Sequence, residues 1–245
     1  MSFLRIALLA CLALQLGACS SLLSPNFNKP LVVSRDATEQ AKPGCTGDDC
    51  PLVNLDTVHF ADEPQLDTLV QSTLLQLTHY APLPTSLKAY QEQFLASAHN
   101  HQNSYLQAKV REQHDGLVII ELSSYLEEGE NRATPGLGFI NWSRQQARVL
   151  TLRDMLLPGQ EEAFWKVAEL AQKSWQITNK LDQDATFVNT WPFHKTPYVA
   201  LTYGGVVLKY NVETIAPYAM GNVELKLPYP RLNGILKPEL FPGRG

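Results

Sequence analysis

The chain is short of the residues that anchor most recognisable chemistries. It has 245 residues but only four cysteines and three methionines. It has no Gly-x-Ser-x-Gly nucleophile elbow, no His-Glu-x-x-His zinc helix and no phosphate-binding P-loop. It has no excess of positive charge either: 20 Lys and Arg against 24 Asp and Glu give −4. That balance argues against nucleic acid, whose binding needs a basic surface. No cofactor motif is present, and no apolar run reaches the roughly 20 residues that a membrane-spanning helix needs. Hydrophobic residues make up 44% of the chain, with four tryptophans, enough for one sizeable folded domain or two small ones packed together.

What the sequence does have begins at its N-terminus. Arg5 precedes an apolar stretch from Ile6 to Leu16, and Leu16-Gly17-Ala18-Cys19 follows. The run is too short to span a bilayer but has the form of a signal sequence. The tetrapeptide resembles the bacterial lipobox, which implies cleavage before Cys19 and acylation of that cysteine. Ser20 rather than Asp at the second mature position implies sorting to the outer membrane of a Gram-negative bacterium. On this expectation 1–18 is a signal peptide, and lipid chains hold the mature chain to a membrane in the cell envelope. Removing 1–18 takes away the charge of Arg5, leaving a net charge of −5.

Two cysteines remain beyond the export segment, in Cys45-Thr46-Gly47-Asp48-Asp49-Cys50. In an oxidising compartment this pair predicts a local disulfide. A metal site would need a further Cys or His close by, and His59 is the nearest. Residues 19–52 are otherwise polar and aperiodic and read as a tether, with Leu31-Val32-Val33 as a possible short strand.

The folded domain is expected over 53–245, with sub-regions 53–135 and 136–240. Asp62-Glu63-Pro64 is a helix-start signature, and Leu66, Leu69, Val70, Leu74 and Leu77 follow at helical spacing. A second helix is predicted over 85–98. Leu106, Ala108 and Val110 alternate with polar residues up to Asp115-Gly116, a hairpin turn, and the more continuously apolar 117–122 forms the next strand. Residues 127–138 read as a loop, followed by a hairpin around Ser143-Arg144. A long helix is predicted from Glu161, with Phe164, Val167, Ala168, Ala171 and Trp175 on one face. Strands are predicted over 198–202, 206–210 and 223–227. Segregated helices and strands point to an α+β fold with an antiparallel sheet and helices packed on it.

Candidate acid–base groups are sparse. His99-Asn100-His101 reads as a solvated helix end, because adjacent positions point apart and no carboxylate follows at ligand spacing. His114-Asp115 reads as part of a turn, and Glu127, Glu128 and Glu130 as a solvated loop tip. Of the C-terminal aromatic residues, Tyr203 and Tyr218 lie nearest loops and are the better candidates for a contact surface.

Three segments carry a family resemblance: Arg148 through Leu156, Ile215-Ala216-Pro217-Tyr218-Ala219-Met220-Gly221, and Val223 through Tyr229. Their order resembles the RsiV-like family, named for an anti-sigma factor whose extracytoplasmic domain binds lysozyme; a related domain accompanies a peptidoglycan deacetylase. The chain departs from the family at 131–136, which lacks the histidine found there in many members, so no role attached to that histidine carries over. It also lacks the sigma-binding segment, the transmembrane helix and the deacetylase domain. The resemblance implies a non-catalytic binding module on a lipid anchor, with lysozyme or a peptidoglycan-related ligand as partner. The expected contacts are Arg132, Thr134, Pro135, Tyr203, Pro217 and Tyr218, and the absence of catalytic motifs leaves no metal, cofactor or catalytic residue expected. The alternatives are a structural partner of another envelope protein and, last, a cell-wall hydrolase with an unrecognised site.

Overall fold

Residues 117–122 are apolar at nearly every position because their strand is buried on both faces. In the computed structural model, which describes residues 26–78, 80–128 and 133–243, Val118, Ile120 and Leu122 enter one hydrophobic core while Leu117 and Ile119 enter another. This strand is the spine of the molecule, and the two cores are built on either side of it.

Among the described residues the larger sheet has six strands in sequence order: β1 (Ser34–Ala41), β2 (Leu52–His59), β3 (Gln102–His114), β4 (Leu117–Glu128), β5 (Ala133–Ser143) and β6 (Arg148–Val149). All its pairings are antiparallel except β2 with β3, which is parallel. Between those two strands the chain leaves the sheet to form α1 (Pro64–Gln76) and α2 (Leu87–Ser97). A connection of this length is what a parallel pair requires. Leu66, Val70 and Leu74 of α1, with Tyr90 and Phe94 of α2, cover one sheet face and form the first core with Leu106, Ile120 and Leu122.

The second core joins the opposite face to the C-terminal half. That half holds the short α3 (Leu152–Met155), the long α4 (Glu161–Thr178), α5 (Ala185–Thr190) and a three-stranded antiparallel sheet of β7 (Val199–Thr202), β8 (Gly205–Tyr210) and β9 (Val223–Leu227). Phe164 and Ala168 on α4 are fully buried in one core with Leu208, Leu225 and Leu227. Burying a side chain of Phe or Leu size contributes about 1.5–3 kcal/mol. The long helix therefore forms for its apolar stripe, as its spacing predicts.

The fold is α+β as expected, with a mixed rather than purely antiparallel large sheet. Two local expectations are corrected. Strand β1 starts at Ser34, after Leu31-Val32-Val33 rather than within it, and lies inside the stretch read as tether. Its eight residues are all exposed, so no periodic burial marks them as a strand. Most of the expected loop 127–138 is strand, because β4 runs to Glu128 and β5 begins at Ala133. The boundary between 135 and 136 falls inside β5, so the two sub-regions share that strand.

Local chemistry explains the turns. Asp115 and Gly116 both have positive φ, 47° and 74°, the geometry of a two-residue hairpin turn between β3 and β4. Cys45 and Cys50 are disulfide-bonded, as the spacing predicts, in the loop between β1 and β2.

A bulge at Arg111 interrupts the pairing of β3 with β4, where the register passes from Val110 opposite Ile120 to Glu112 opposite Ile119. Bulges re-aim side chains, and here Arg111 turns toward the smaller sheet. It forms a two-pronged ion pair with Glu224 of β9, both bonds 2.7 Å, and a third bond of 3.0 Å to Glu121 of β4. Lys209 of β8 also pairs with Glu121. Two cations and two carboxylates thus neutralise one another between the sheets.

Candidate functional site

On the face of the large sheet not covered by α1 and α2, the end remote from the second core remains open. Pairing register fixes what it displays. Tyr105 on β3 lies opposite Tyr125 on β4, and Tyr125 lies opposite Pro135 on β5. Directly paired residues share a face about 5 Å apart. A row of two tyrosines and a proline therefore crosses the strands.

The next row runs from Asp56 through Gln107 and Ser123 to the buried Leu137, and is polar over its first three strands. Gln107 donates to Asp56 at 2.6 Å, and Arg35 donates to the other carboxylate oxygen at 2.5 Å. The Arg35 guanidinium bond chiefly, with help from Gln107 against the cost of burial, holds the Asp56 carboxyl below its ordinary value. Tyr105 is pushed up, by partial desolvation first and then by the negative charge of Asp56.

The segment between β8 and β9 completes the surface. Pro217 starts a 3-10 turn over Tyr218–Met220, and Gly221 follows with a positive φ of 66°. The turn leaves Tyr218 57% exposed and Met220 39% exposed, while Ile215 and Ala216 anchor its base in the second core. Tyr125 is 41% exposed. Its hydroxyl pKa is raised by desolvation first, then by Tyr218 and Glu127. Tyr105, Tyr125 and Pro135 form a patch backed by Asp56, Gln107 and Arg35, with Tyr218 near enough to bear on the Tyr125 hydroxyl. The patch can stack on an apolar or planar group and hydrogen-bond its rim.

Of the expected contact residues, Pro135 lies in this row and Pro217 and Tyr218 belong to the turn after β8, whereas Thr134, paired with Leu126, points to the opposite, helix-covered face. Tyr203 belongs elsewhere. It caps the hairpin between β7 and β8, its amide bonds Glu112, and its ring meets His114 edge-on at 5.7 Å. His114 sits by Leu117, and Tyr125 lies about 27 Å further along β4 at the usual strand rise. Arg132 and the lipidation candidate Cys19 lie outside the described residues. Tyr105 and Tyr125 were missed by sequence reasoning. Their alternation in β3 and β4 was visible, but their neighbours depend on a register that the expected loop concealed.

The acid–base candidates are placed as follows. His99 and His101 are exposed, with His101 Nδ1 3.4 Å from Asp49. His114 Nε2 lies 2.8 Å from the Leu201 carbonyl oxygen and so carries the proton of that bond. Among the described residues no group of three or more His, Cys, Asp or Glu could hold a metal ion. No described helix is long and apolar enough to cross a membrane. A surface cavity of about 860 Å³ lies between α3 and the start of α4, lined by Leu152, Leu156, Pro158, Arg153, Glu161 and Lys237.

These features define an α+β domain in which one end of a sheet face is left open and carries tyrosines. The chain belongs to the DUF3298 family. The family described as "Protein of unknown function (DUF3298)" matches residues 153–230. A solved structure of a DUF3298 family protein from Pseudomonas aeruginosa PAO1 is 63% identical, with a TM-score of 0.87 over 89% of this chain and 100% of that one. A second, a member of the family from Bacteroides fragilis NCTC 9343, is 17% identical with a TM-score of 0.66, over 86% of this chain and 96% of that one. The latter likeness is one of fold. No curated protein matches the chain.

Proposed function

We propose that this protein is an envelope lipoprotein, acylated at Cys19, whose folded domain is a non-catalytic binding module of the RsiV-like type. The ligand class is lysozyme or a peptidoglycan-related molecule. The observation that supports the reading is the row of Tyr105, Tyr125 and Pro135 across the open end of the sheet, with Tyr218 exposed on a turn near enough to bear on the Tyr125 hydroxyl. Exposed tyrosines add large contact area at low conformational cost, which suits them to binding. The mature chain's acidity complements a basic protein ligand.

The binding test is calorimetric titration of the detergent-extracted protein with lysozyme and with soluble muropeptides. Saturable binding to one of them is expected, and Tyr218→Ala or Tyr125→Ala should weaken it at least about tenfold. Absence of binding to both ligands would overturn the binding reading. The anchor has its own test: labelled palmitate should be incorporated into the protein and lost in Cys19→Ser. An unlabelled wild-type protein would remove the anchor.

A further inference from the structure

We infer that β1 is a self-association edge, and that two copies of this chain pair through it to make one continuous twelve-stranded sheet. The inference stands on the backbone and charge pattern of β1, with Arg35 offering the guanidinium N–H groups that its Nε bond to Asp56 leaves over, and does not depend on the proposed ligand.

Strand β1 is the outermost strand of the large sheet, and β2 is its only strand neighbour among the described residues. All eight of its residues are exposed. The Lys42 amide donates to Pro51 at 2.9 Å, so alternate residues back along the strand turn their backbone groups toward β2. Arg35, Ala37 and Glu39 then turn theirs outward. Among the described residues nothing hydrogen-bonds those outward groups. An exposed edge of this length is a template for another strand.

Charge says which strand fits and in which register. Antiparallel pairing of β1 with its own copy must set outward residues opposite outward residues. With Ala37 on the two-fold axis, Arg35 of each copy faces Glu39 of the other. Two opposite-charge pairs flank a small residue that allows close approach. Sliding the axis to Asp36 or to Glu39 sets like charges directly against each other, which is destabilising. Setting it at Thr38 leaves Arg35 opposite Ala41 and forms no ion pair. The sequence Arg35-Asp36-Ala37-Thr38-Glu39 is thus complementary to itself in one register. The pairing is isologous and closes at two copies. Its axis stands perpendicular to the sheet, so both copies present the Tyr105–Tyr125 face on the same side.

Cross-linking of the full chain in intact bacterial envelopes tests this. Ala37→Cys should yield a covalent dimer under mild oxidation or with a short bismaleimide, because paired strands bring the two residues within disulfide range. Ala41→Cys should not, since in this register the two copies of residue 41 lie about 26 Å apart. In the Ala37→Cys background, Glu39→Arg should reduce the dimer about tenfold by turning two attractive pairs into repulsive ones. Adding Arg35→Glu should restore it. Thermal unfolding of each variant checks that it is folded. Equal cross-linking at 37 and 41, no dimer from folded Ala37→Cys, or coupling of the Ala37→Cys thiol to a different protein would each overturn the inference.

Discussion

The Asn141 carboxamide of β5 takes the place of a missing strand beside Leu201 of β7. Its Nδ2 donates to the Val199 carbonyl at 2.7 Å, and its Oδ1 accepts from the Leu201 amide at 2.8 Å. His114 then donates to the Leu201 carbonyl, and Glu112 accepts from the Tyr203 amide. Residues 199, 201 and 203 form the side of β7 turned away from β8. That edge is therefore closed by three side chains from the larger sheet. The two sheets are joined by hydrogen bonds that imitate a ladder without extending one.

Asn141→Ala should accordingly destabilise the fold by about 2–4 kcal/mol, because it strands a buried amide and a buried carbonyl together. Asn141 is only 3% exposed, so water cannot readily substitute. Urea unfolding followed by tryptophan fluorescence measures the loss. A change under about 0.5 kcal/mol, the range of ordinary surface substitutions, would show that the clamp contributes nothing.

The close packing of β5 predicts intolerance at Gly136. A Cβ there would come within 2.3 Å of Ser124 Oγ, the hydroxyl that donates to the Leu77 carbonyl at the end of α1. Gly136→Ala should cost about 1–3 kcal/mol through overpacking. Combining it with Ser124→Ala should recover part of that loss, and a double-mutant cycle on unfolding free energies reads the coupling.

Removing one charge from the inter-sheet quartet should cost more than the same change at the surface. Glu121 is bonded by both Arg111 and Lys209, and the Lys209 side chain is only 13% exposed. Glu121→Gln should destabilise by about 2 kcal/mol, below the roughly 3–5 kcal/mol of a fully buried pair because solvent reaches Glu224. Lys209→Met in the same chain should reduce the deficit, since it removes the excess cation that would otherwise share Glu224 with Arg111. Thermal melts at low and high salt check both variants.

Acid should weaken the protein through carboxylates whose pKa lies below its unfolded value. Hydrogen bonds from the Thr151 side chain and backbone chiefly, and from Arg148, hold Asp154 down from 3.8 to about 2. Arg111 does the same in direction for Glu224, and Arg35 for Asp56. A depressed folded pKa adds stability above the unfolded value, and that stability is lost as pH falls through the folded value. The Asp154 contribution should therefore disappear between pH about 4 and about 2. Asp154→Ala should lie below wild type at pH 7 and approach it near pH 2; a gap that stays constant would refute the assignment.

Much of the fold was legible because local pattern and final environment agree. Helices α1, α2 and α4 bury the faces their spacing marks, and Asp115-Gly116 turns the chain where turn chemistry places it. Strand β1 was hidden because both its faces are exposed, leaving no alternation to read. The far ends of β4 and β5 were hidden by their acidic and Gly-Pro-containing composition. Of the residues in the proposed contact surface, Pro135 and Tyr218 carry loop signals in the sequence. Tyr125 carries none, because its exposure depends on pairing with strands rather than on its own neighbours.

Local sequence is enough to dictate the helices, the hairpin turns, the short-range disulfide and the α+β class. Each of these follows from interactions within a few residues or from a repeat along one element. The folded chain alone shows that Asn141 closes the edge of β7 and that the bulged Arg111 reaches Glu224. Those pairs are separated by 58 residues or more along the chain. Polar and aromatic side chains become specific only when the backbone has brought their partners within reach, and no periodicity in the chain records that distance.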